Sequence, residues 1–172
     1  MTPSSHSPAV LIRAANPDDV PVLQELEREA DTAAHWNSAH YASLFQTASL
    51  ARRAWVVEAG AEPGPPWPAG ATLGFLIARI SPEWEIENIV VARRARRCGL
   101  GRALLRHCLA QAGDAGAAGV HLEVRESNTA ARQLYERCGA VENGRRQAYY
   151  QQPAEDAITY VFNCYSSVKK ID

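Results

Sequence analysis

The chain has 172 residues, with 18 basic and 19 acidic side chains, a formal net charge of −1 and 47% hydrophobic residues. Its length predicts one domain with a sizeable core. The balanced charge excludes a disordered tail protein and a nucleic-acid binder that acts through bulk charge. No apolar run reaches the roughly 20 residues that span a bilayer, and the first residues lack the pattern of a secretion signal. We therefore expect a cytoplasmic protein without membrane or direct nucleic-acid contacts.

The cysteines and histidines show no spacing typical of a metal site. The four cysteines contain no CxxC pair, so neither a zinc knuckle nor a disulfide framework is indicated. We expect reduced thiols and no bound metal. The residues concerned are Cys98, Cys108, Cys138, Cys164, His35, His40, His107 and His121.

Apolar periodicity and turn residues predict the element order β-α-α-β-β-β-α-β-α-β-β, an α/β domain with a mixed sheet. Residues 1–8 are a Ser/Pro-rich flexible lead-in, 9–165 form the domain and 166–172 form a C-terminal tail. The predicted strands cover 10–14, 54–59, 72–80, 84–92, 120–124, 140–148 and 157–164. The predicted helices begin at Asn16, cover about 37–50 and 99–112, and run from Ser127 or Asn128 to Arg137.

A segment rich in proline and glycine separates the second and third predicted strands. Residues 60–70 hold four prolines and three glycines, which cannot continue either strand. We expect an extended hairpin loop there, and the sequence does not indicate its role.

The most informative stretch is an Arg-rich turn between a strand and the helix that begins near Gly99. The first amides of a helix lack intrahelical partners, and the helix dipole adds positive charge to them. Gly99 and Gly101 would let an anion approach closely, and six arginines with no acid lie between residues 93 and 106. A pyrophosphate fits this pattern; the alternative is a plain turn with a solvated face. Leu104 excludes a dinucleotide fingerprint.

Several blocks resemble one known superfamily in order along the chain. Residues 96–101 have the Arg/Gln-x-x-Gly-x-Gly form of the acetyl-CoA loop of GNAT N-acetyltransferases, and residues 87–91 resemble the Asn-Ile-Ala-Val strand of its RimI-type members. Those members acetylate the N-terminal alanine of a ribosomal protein. The resemblance covers about residues 10–163 and continues in Leu-Glu-Val-Arg-x-Ser-Asn at 122–128, Leu-Tyr-x-x-x-Gly at 134–139, Arg-x-x-Tyr-Tyr at 146–150 and Glu-Asp-Ala at 155–157.

Three departures from the family pattern bear on the acceptor side. Ala140 stands where an aromatic residue is usual, Glu87 stands where an aliphatic residue is usual, and the loop at 60–70 is longer than expected. We therefore expect the amine-binding side to differ from that of a typical RimI-type enzyme.

The resemblance implies an N-acetyltransferase domain over 9–165, with a mostly antiparallel sheet splayed at its centre between the strands at 86–91 and 120–124. Acetyl-CoA is the implied co-substrate, with no metal. Its pantetheine would pair with the backbone of Ile89 and Val91, and an N–H near Val90 would polarise the thioester carbonyl. The implied coenzyme-binding residues are Ile89, Val90, Val91, Arg96, Arg97, Cys98, Gly99, Leu100, Gly101, Arg102, Asn128 and Tyr135.

The same match implies two catalytic residues and a direct transfer in a ternary complex. Glu123 would be the general base, through water, and Tyr135 would donate a proton to the coenzyme thiolate. The alternatives are an edge carboxylate paired with Arg125 or another arginine, and a core tyrosine with a satisfied hydroxyl. Cys98 and Cys138 are not expected to act as nucleophiles.

The acceptor is predicted to be a protein N-terminus, of a ribosomal protein by the resemblance. An α-amine with a pKa near 7.7–8.0 is neutral in roughly one molecule in ten at pH 7, against about one in 2,500 for lysine. Expected substrate-binding residues are Glu85, Arg146, Tyr149 and Tyr150, although one of two adjacent strand residues faces away from the groove.

Several alternatives remain open. The acidic residues Glu83, Glu85 and Glu87 would either attract a cationic peptide or form a solvated edge. The acceptor would otherwise be a small amine or a lysine side chain. A hypothesis from a different functional class is a non-catalytic module whose arginine cluster binds nucleic acid or an acidic protein. We expect a monomer or a weak dimer.

Overall fold

The computed structural model describes residues 10–34, 36–46, 51–60, 67–80 and 83–164. The predicted lead-in at 1–8, the tail at 166–172, His35, the end of the helix predicted over 37–50, and the middle of the loop at 60–70 lie outside the described residues. The strands are β1 (Val10–Ala14), β2 (Arg52–Ala59), β3 (Thr72–Arg79), β4 (Trp84–Val91), β5 (Gly119–Arg125), β6 (Val141–Gln151) and β7 (Ala154–Asn163). The helices are α1 (Val20–Arg28), α2 (Ser38–Ser43), α3 (Leu100–Asp114) and α4 (Thr129–Arg137).

The described strands form one sheet in the order β1-β2-β3-β4-β5-β7-β6. Every neighbouring pair is antiparallel except β4 and β5, which are parallel. The element order and the mixed, mostly antiparallel sheet confirm the predicted fold. Differences are confined to element ends. The helix predicted over 37–50 ends at Ser43, because residues 44–46 form a turn. β6 and β7 together extend over residues 141–163 with a short turn, and the helix predicted from Asn16 begins with a 3-10 turn at Pro17–Asp19.

The sheet opens between its two central strands. β4 and β5 pair only from Trp84 opposite Val120 to Ile86 opposite Leu122. Beyond Ile86, β4 continues along β3 as far as Val91, while β5 continues along β7. The expected splay is therefore present, and it leaves one side of β4 without a neighbouring strand.

A β-bulge lies at the point where the sheet opens. Ala78 of β3 lies opposite Ile86, whereas Ile77, the residue before it, lies opposite Asn88. Glu87 is thus an extra residue in β4. Such a bulge bends its strand and increases the local twist, and it directly follows Ile86, the last β4 residue that pairs with β5.

The hydrophobic core holds β4 in place. α1 and α3 both contact β3 and β4, and fully buried leucines such as Leu23, Leu76 and Leu104 fill the space between helices and sheet. A Cβ at Gly74 would lie 2.6 Å from the Val90 carbonyl oxygen, so only glycine allows β3 to approach β4 this closely. In the part of the chain that the structure describes, no helix is long and apolar enough to span a membrane.

Candidate active site

A groove of about 820 Å³ is lined by residues from both sides of the opening between β4 and β5. Its walls come from β4, β5, the start of α3, α4, the segment after α1 and the tyrosines of β6. Of the sequence-predicted site residues, only Cys98 and Arg146 are outside the lining. The lining includes Glu85, Ile89, Val90, Val91, Arg96, Arg97, Gly99, Leu100, Gly101, Arg102, Glu123, Asn128, Tyr135, Tyr149 and Tyr150.

The turn that leads into α3 presents backbone amides at one end of the groove. Gly99 is the N-cap of α3 with φ of +80°, and no side chain caps the first amides of this helix. Arg97 also has a positive φ, of +64°. Left-handed residues in a turn can gather successive N–H groups into an anion-binding concavity. The left-handed conformation of Arg97 was not predictable, because in a sequence it is signalled mainly by glycine and less often by asparagine or aspartate.

The second glycine of the turn has a packing role. A Cβ at Gly101 would lie 3.0 Å from Leu134 Cδ2, so its absence lets α3 pack tightly against α4. Trp67, at the end of the Pro/Gly-rich loop, is buried, and its Nε1–H donates a hydrogen bond to the Arg94 carbonyl oxygen at 3.4 Å. The turn is therefore supported from two sides, and the sequence analysis did not identify Trp67.

Most arginines around this turn have no carboxylate partner. Arg93 pairs with Asp31 at 3.0 Å, and Arg96 Nε donates to the Val91 carbonyl oxygen at 3.2 Å. Within the described ranges, Arg97, Arg102 and the two remaining arginines of the cluster, Arg94 and Arg106, make no ion pair. The turn thus combines free amides with uncompensated positive charge, which suits a polyanion.

The open side of β4 offers backbone hydrogen-bonding groups to the groove. The Ala92 N–H donates to the Leu73 carbonyl oxygen at 2.8 Å, so Ala92 and, by alternation, Val90 point their polar groups toward β3. Those of Ile89 and Val91 consequently point into the opening. The Val91 carbonyl already accepts from Arg96, which leaves its N–H and the groups of Ile89 for a ligand.

Tyr135 lies where the groove passes between α4 and the opening. It is 5% exposed, and in the described part of the chain its hydroxyl has no hydrogen-bond partner. Burial raises the pKa of this hydroxyl, so it remains protonated at neutral pH. The neighbouring Tyr160 instead donates to Glu136 at 2.7 Å and accepts from Arg132 at 3.1 Å. The description of a core tyrosine with a satisfied hydroxyl therefore fits Tyr160 and does not fit Tyr135.

Glu123 projects from β5 into the groove, and its carboxylate is paired. Arg146 Nη1 lies 3.1 Å from Glu123 Oε1, and the Arg146 guanidinium lies over the Tyr149 ring at 5.1 Å. Burial, together with the charge of Glu123, raises the pKa of the Tyr149 hydroxyl. The pairing that the sequence left as an alternative is thus present, but with Arg146 and at the groove wall. Arg125 pairs with Glu155 at 2.8 Å.

Both Tyr149 and Tyr150 line the groove, contrary to the expectation that one would face away. The register of β6 against β7 shifts between Arg146 and Tyr150, and Ala148 has a φ of +49°. This irregularity breaks the alternation of a regular strand. The two rings contact each other edge to face at 5.2 Å between centroids.

The acidic residues near the bulge are already paired. Glu85 lines the groove and forms an ion pair with Arg79. Glu87 pairs with Arg52 at 2.6 Å and is mostly buried. Because each carboxylate is paired with an arginine, Glu85 and Glu87 are neither unpaired acids that would attract a cationic peptide nor a solvated edge.

One buried acid escaped the sequence analysis. Glu27 follows Leu23 and precedes Ala30 at helical spacing, so an acid at a core position was the available signal. It is 3% exposed and accepts hydrogen bonds from Asn88 Nδ2, the Tyr41 hydroxyl and the Trp36 N–H.

At α4, Asn128 caps the helix as predicted, by accepting from the Ala131 N–H at 3.2 Å. Among the described residues, no three His, Cys, Asp or Glu side chains form a metal-binding group.

The chain is similar to known acetyltransferases in sequence and in fold. The chain is 41% identical over 92 residues to the ribosomal protein bS18-alanine N-acetyltransferase of Escherichia coli K12, a match that covers 52% of this chain and 62% of that protein. The crystal structure of the E. coli ribosomal-protein-S18-alanine N-acetyltransferase superposes with a TM-score of 0.76 at 27% identity, over 95% of this chain and 99% of that one. Arabidopsis thaliana NAA60 in complex with acetyl-CoA shares the fold, with a TM-score of 0.78 at 18% identity over 90% and 98% of the two chains.

The curated sequence match is partial, since the chain spans 62% of the length of that relative. The family match is broader: residues 20–140 match the profile of the acetyltransferase (GNAT) family. That range includes the turn at 96–101, Glu123 and Tyr135. The chain therefore belongs to the acetyltransferase (GNAT) family.

Proposed function

We propose that the protein is an N-acetyltransferase that moves an acetyl group from acetyl-CoA to the α-amine of a protein N-terminus, without a covalent enzyme intermediate. The observation that carries this proposal is the continuous groove from the amide-lined turn to Tyr135 and Glu123. Its lining includes the amide-lined turn, the open edge of β4, the Tyr135 hydroxyl and the Glu123 carboxylate, which are the groups that acetyl transfer from coenzyme A would use.

The residues of the groove fit the coenzyme. The free amides after Arg97 and the unpaired arginines would hold its diphosphate. The backbone of Ile89 and Val91 would pair with the amides of its pantetheine arm, and the Asn128 side-chain N–H₂ remains available as a further donor while its oxygen caps α4. When bound, the coenzyme supplies an acetyl group activated as a thioester.

Two side chains would move the protons of the reaction. The Tyr135 hydroxyl, kept protonated by burial and without a partner in the described part of the chain, is available to donate to a departing thiolate. Glu123 is available to accept the amine proton, directly or through water, once the guanidinium of Arg146 has moved aside. An α-amine demands little of this base, because about one molecule in ten is already neutral at pH 7.

The specific acceptor that we propose is the N-terminal alanine of a ribosomal protein, with the enzyme acting in the cytoplasm. The E. coli relative carries that activity in its name, and the motif blocks of this chain resemble the same type. The alternative acceptors are a small amine and a lysine side chain, which the departures at Ala140 and Glu87 keep open.

A coenzyme-release assay with a panel of short peptides tests the proposal. The panel carries free Ala, Ser or Met termini, matched peptides with blocked termini, and an internal lysine. We expect turnover with free Ala-type termini and none with blocked ones. Activity confined to the lysine or to small amines would move the assignment to the alternative acceptors. Calorimetry that shows no binding of coenzyme A would overturn the transferase function, and steeply salt-dependent binding of nucleic acid would then favour the non-catalytic module.

A further inference from the structure

Glu27 is a buried acid that the proposed chemistry does not use. Its carboxylate accepts from Asn88 Nδ2 at 2.5 Å, from the Tyr41 hydroxyl at 3.0 Å and from the Trp36 N–H at 3.0 Å. No basic side chain of the described residues pairs with it. Burying a carboxylate is costly unless several donors satisfy it. The three donors that converge on Glu27 offset that cost.

The three donors come from three different parts of the fold. Asn88 belongs to β4 and directly follows the bulge residue Glu87. Trp36 lies in the connection between α1 and α2, and Tyr41 lies in α2. A single carboxylate from α1 therefore joins the α1–α2 connection to the strand that borders the groove.

The same connection reaches the bulge by a second route. The Trp36 ring lies 5.6 Å from the Arg52 guanidinium, and Arg52 pairs with Glu87 at 2.6 Å. Two contacts thus link the neighbourhood of Trp36 to the two adjacent β4 residues at the bulge, one through Asn88 and one through Glu87.

The tethered connection forms a wall of the groove. We call residues 29–34 the acceptor strap; four of its members line the groove, namely Ala30, Thr32, Ala33 and Ala34. Its start is fixed by Arg93, which donates to the Glu29 carbonyl oxygen at 3.2 Å and pairs with Asp31 at 3.0 Å. Glu27 holds the residues on both sides of the strap, since it precedes it in α1 and binds Trp36 after it.

We propose that Glu27 is a positioning residue for the acceptor amine: its carboxylate fixes the acceptor strap against the β4 bulge and so sets the width of the groove that the strap and Glu123 both line. Glu27 contacts neither Tyr135 nor residues 97–102, and the strap meets the arginine-rich turn through the exposed Arg93, whose ion pair contributes little. We therefore expect the loss of Glu27 to affect the acceptor and not the coenzyme. This inference rests on the proposed function for its kinetic readout. The placement of the strap by Glu27 is independent of the proposed function.

The test compares Glu27→Met with Glu27→Gln. Methionine keeps the length of the side chain but leaves all three donors unpaired. Glutamine restores acceptance from Trp36 and Tyr41, and its N–H₂ can pair with Asn88 once that amide is flipped. We expect Glu27→Met to raise the acceptor KM about tenfold, with the calorimetric Kd for coenzyme A unchanged, and Glu27→Gln to recover most of the loss.

Two further variants keep the test decisive. Tyr41→Phe removes one of the three donors and keeps the buried ring, and we expect it to raise the acceptor KM about threefold. This variant takes the place of Glu27→Met if Glu27→Met does not fold. Glu25→Gln changes an exposed acid of the same helix and should leave both constants unchanged. Equal changes in acceptor KM and coenzyme Kd, or no change in either for folded Glu27→Met, would overturn the positioning role.

Amide hydrogen exchange separates this inference from the proposed function. In Glu27→Met we expect faster exchange at residues 29–34 and unchanged exchange at residues 97–102. This result would support the tether even if the wild-type protein acetylates no amine, in which case only the proposed function fails. Unchanged exchange at residues 29–34 would refute the tether whatever the activity.

Discussion

The two ends of the groove differ in how their charges are satisfied. At the turn before α3, the described residues provide one carboxylate partner, Asp31 for Arg93, and leave the other arginines unpaired. At the acceptor end every groove carboxylate has an arginine, as Glu85 has Arg79 and Glu123 has Arg146. The first end is complementary to an anion as it stands. The second is electrically balanced by its arginines, so in the proposed reaction an incoming amine would have to compete with Arg146 before Glu123 could take its proton.

The largest effect is expected at the residue between the two ends. Tyr135→Phe should lower kcat by about 10²- to 10⁴-fold, the usual contribution of a proton donor, and should leave the coenzyme Kd unchanged because the ring stays in place. Burial raises the pKa of Tyr135 above its usual value of about 10, so the protonated form persists and wild-type kcat should show no alkaline loss from this group below about pH 10.

Steady-state kinetics and calorimetry check that expectation, with Tyr160→Phe as the matched control. Tyr160 has its hydroxyl bonded to Glu136 and Arg132, so its loss should affect stability and spare kcat. Comparable kcat losses in the two variants would remove the role of Tyr135 as proton donor.

Removing the carboxylate at the acceptor end should produce the next largest effect. Glu123→Gln should lower kcat/KM by about 10- to 100-fold at pH 7, within or below the usual range for a general base. The loss should shrink as the pH rises above about 8, because the α-amine then deprotonates without help. A pH profile of kcat/KM for wild type and variant measures this, and a loss independent of pH would contradict a base role. Glu126→Gln, which changes an exposed acid paired with Arg145, serves as the control.

At the coenzyme end, the backbone of Gly99 carries the next prediction. Gly99→Ala places a side chain at φ of +80°, which costs about 1–2 kcal/mol for an L-residue. If the turn relaxes to avoid that strain, the coenzyme Kd measured by calorimetry should rise about tenfold. Gly116→Ala has a similar φ of +75° and open space around it, at the far end of α3. Gly116→Ala should lose comparable stability and keep its coenzyme affinity. Equal coenzyme affinities for the two variants would show that the turn at Gly99 does not bind the coenzyme.

The smallest predicted effect sharpens the contrast between the ends. Arg146→Ala frees the Glu123 carboxylate, and since exposed ion pairs are worth about 0–1 kcal/mol, the acceptor KM should fall about two- to fivefold. Arg145→Ala removes a neighbouring arginine that pairs with Glu126 and Asp156 instead, and should leave the acceptor KM unchanged. A higher KM in Arg146→Ala would show that Arg146 binds the acceptor itself, as the sequence predicted.

Local patterns were sufficient to predict the element order and the glycine-containing turn before α3. Helical and strand periodicity are encoded in neighbouring residues, and Gly99 and Gly101 mark the turn directly. The left-handed conformation of Arg97 carries no such mark, because any residue type can be forced into it by its surroundings. The same holds for the bulge at Glu87, which depends on the register between two strands.

Long-range pairing explains what the sequence missed at the acceptor end. Arg146 reaches Glu123 across 23 positions of the chain, and Glu27 reaches Asn88 across 61. Nothing near either acid identifies its partner, so the sequence left Glu123 with several candidate arginines and passed over Glu27. The expectation that either Tyr149 or Tyr150 faces away from the groove was wrong for a related reason, since it assumed regular alternation where β6 is irregular.

An unpaired strand edge at the rim of a sheet is a hazard, because it can recruit a strand from another chain. In this protein the unpaired edge of β4 lies in the interior of the sheet, with β5 diverging beside it. Strands of the same sheet lie on both sides of this edge, yet an extended molecule with its own amide groups could lie along it. Such binding would select ligands whose amide groups are spaced to hydrogen-bond with the backbone of β4, and it would depend little on which side chains β4 carries.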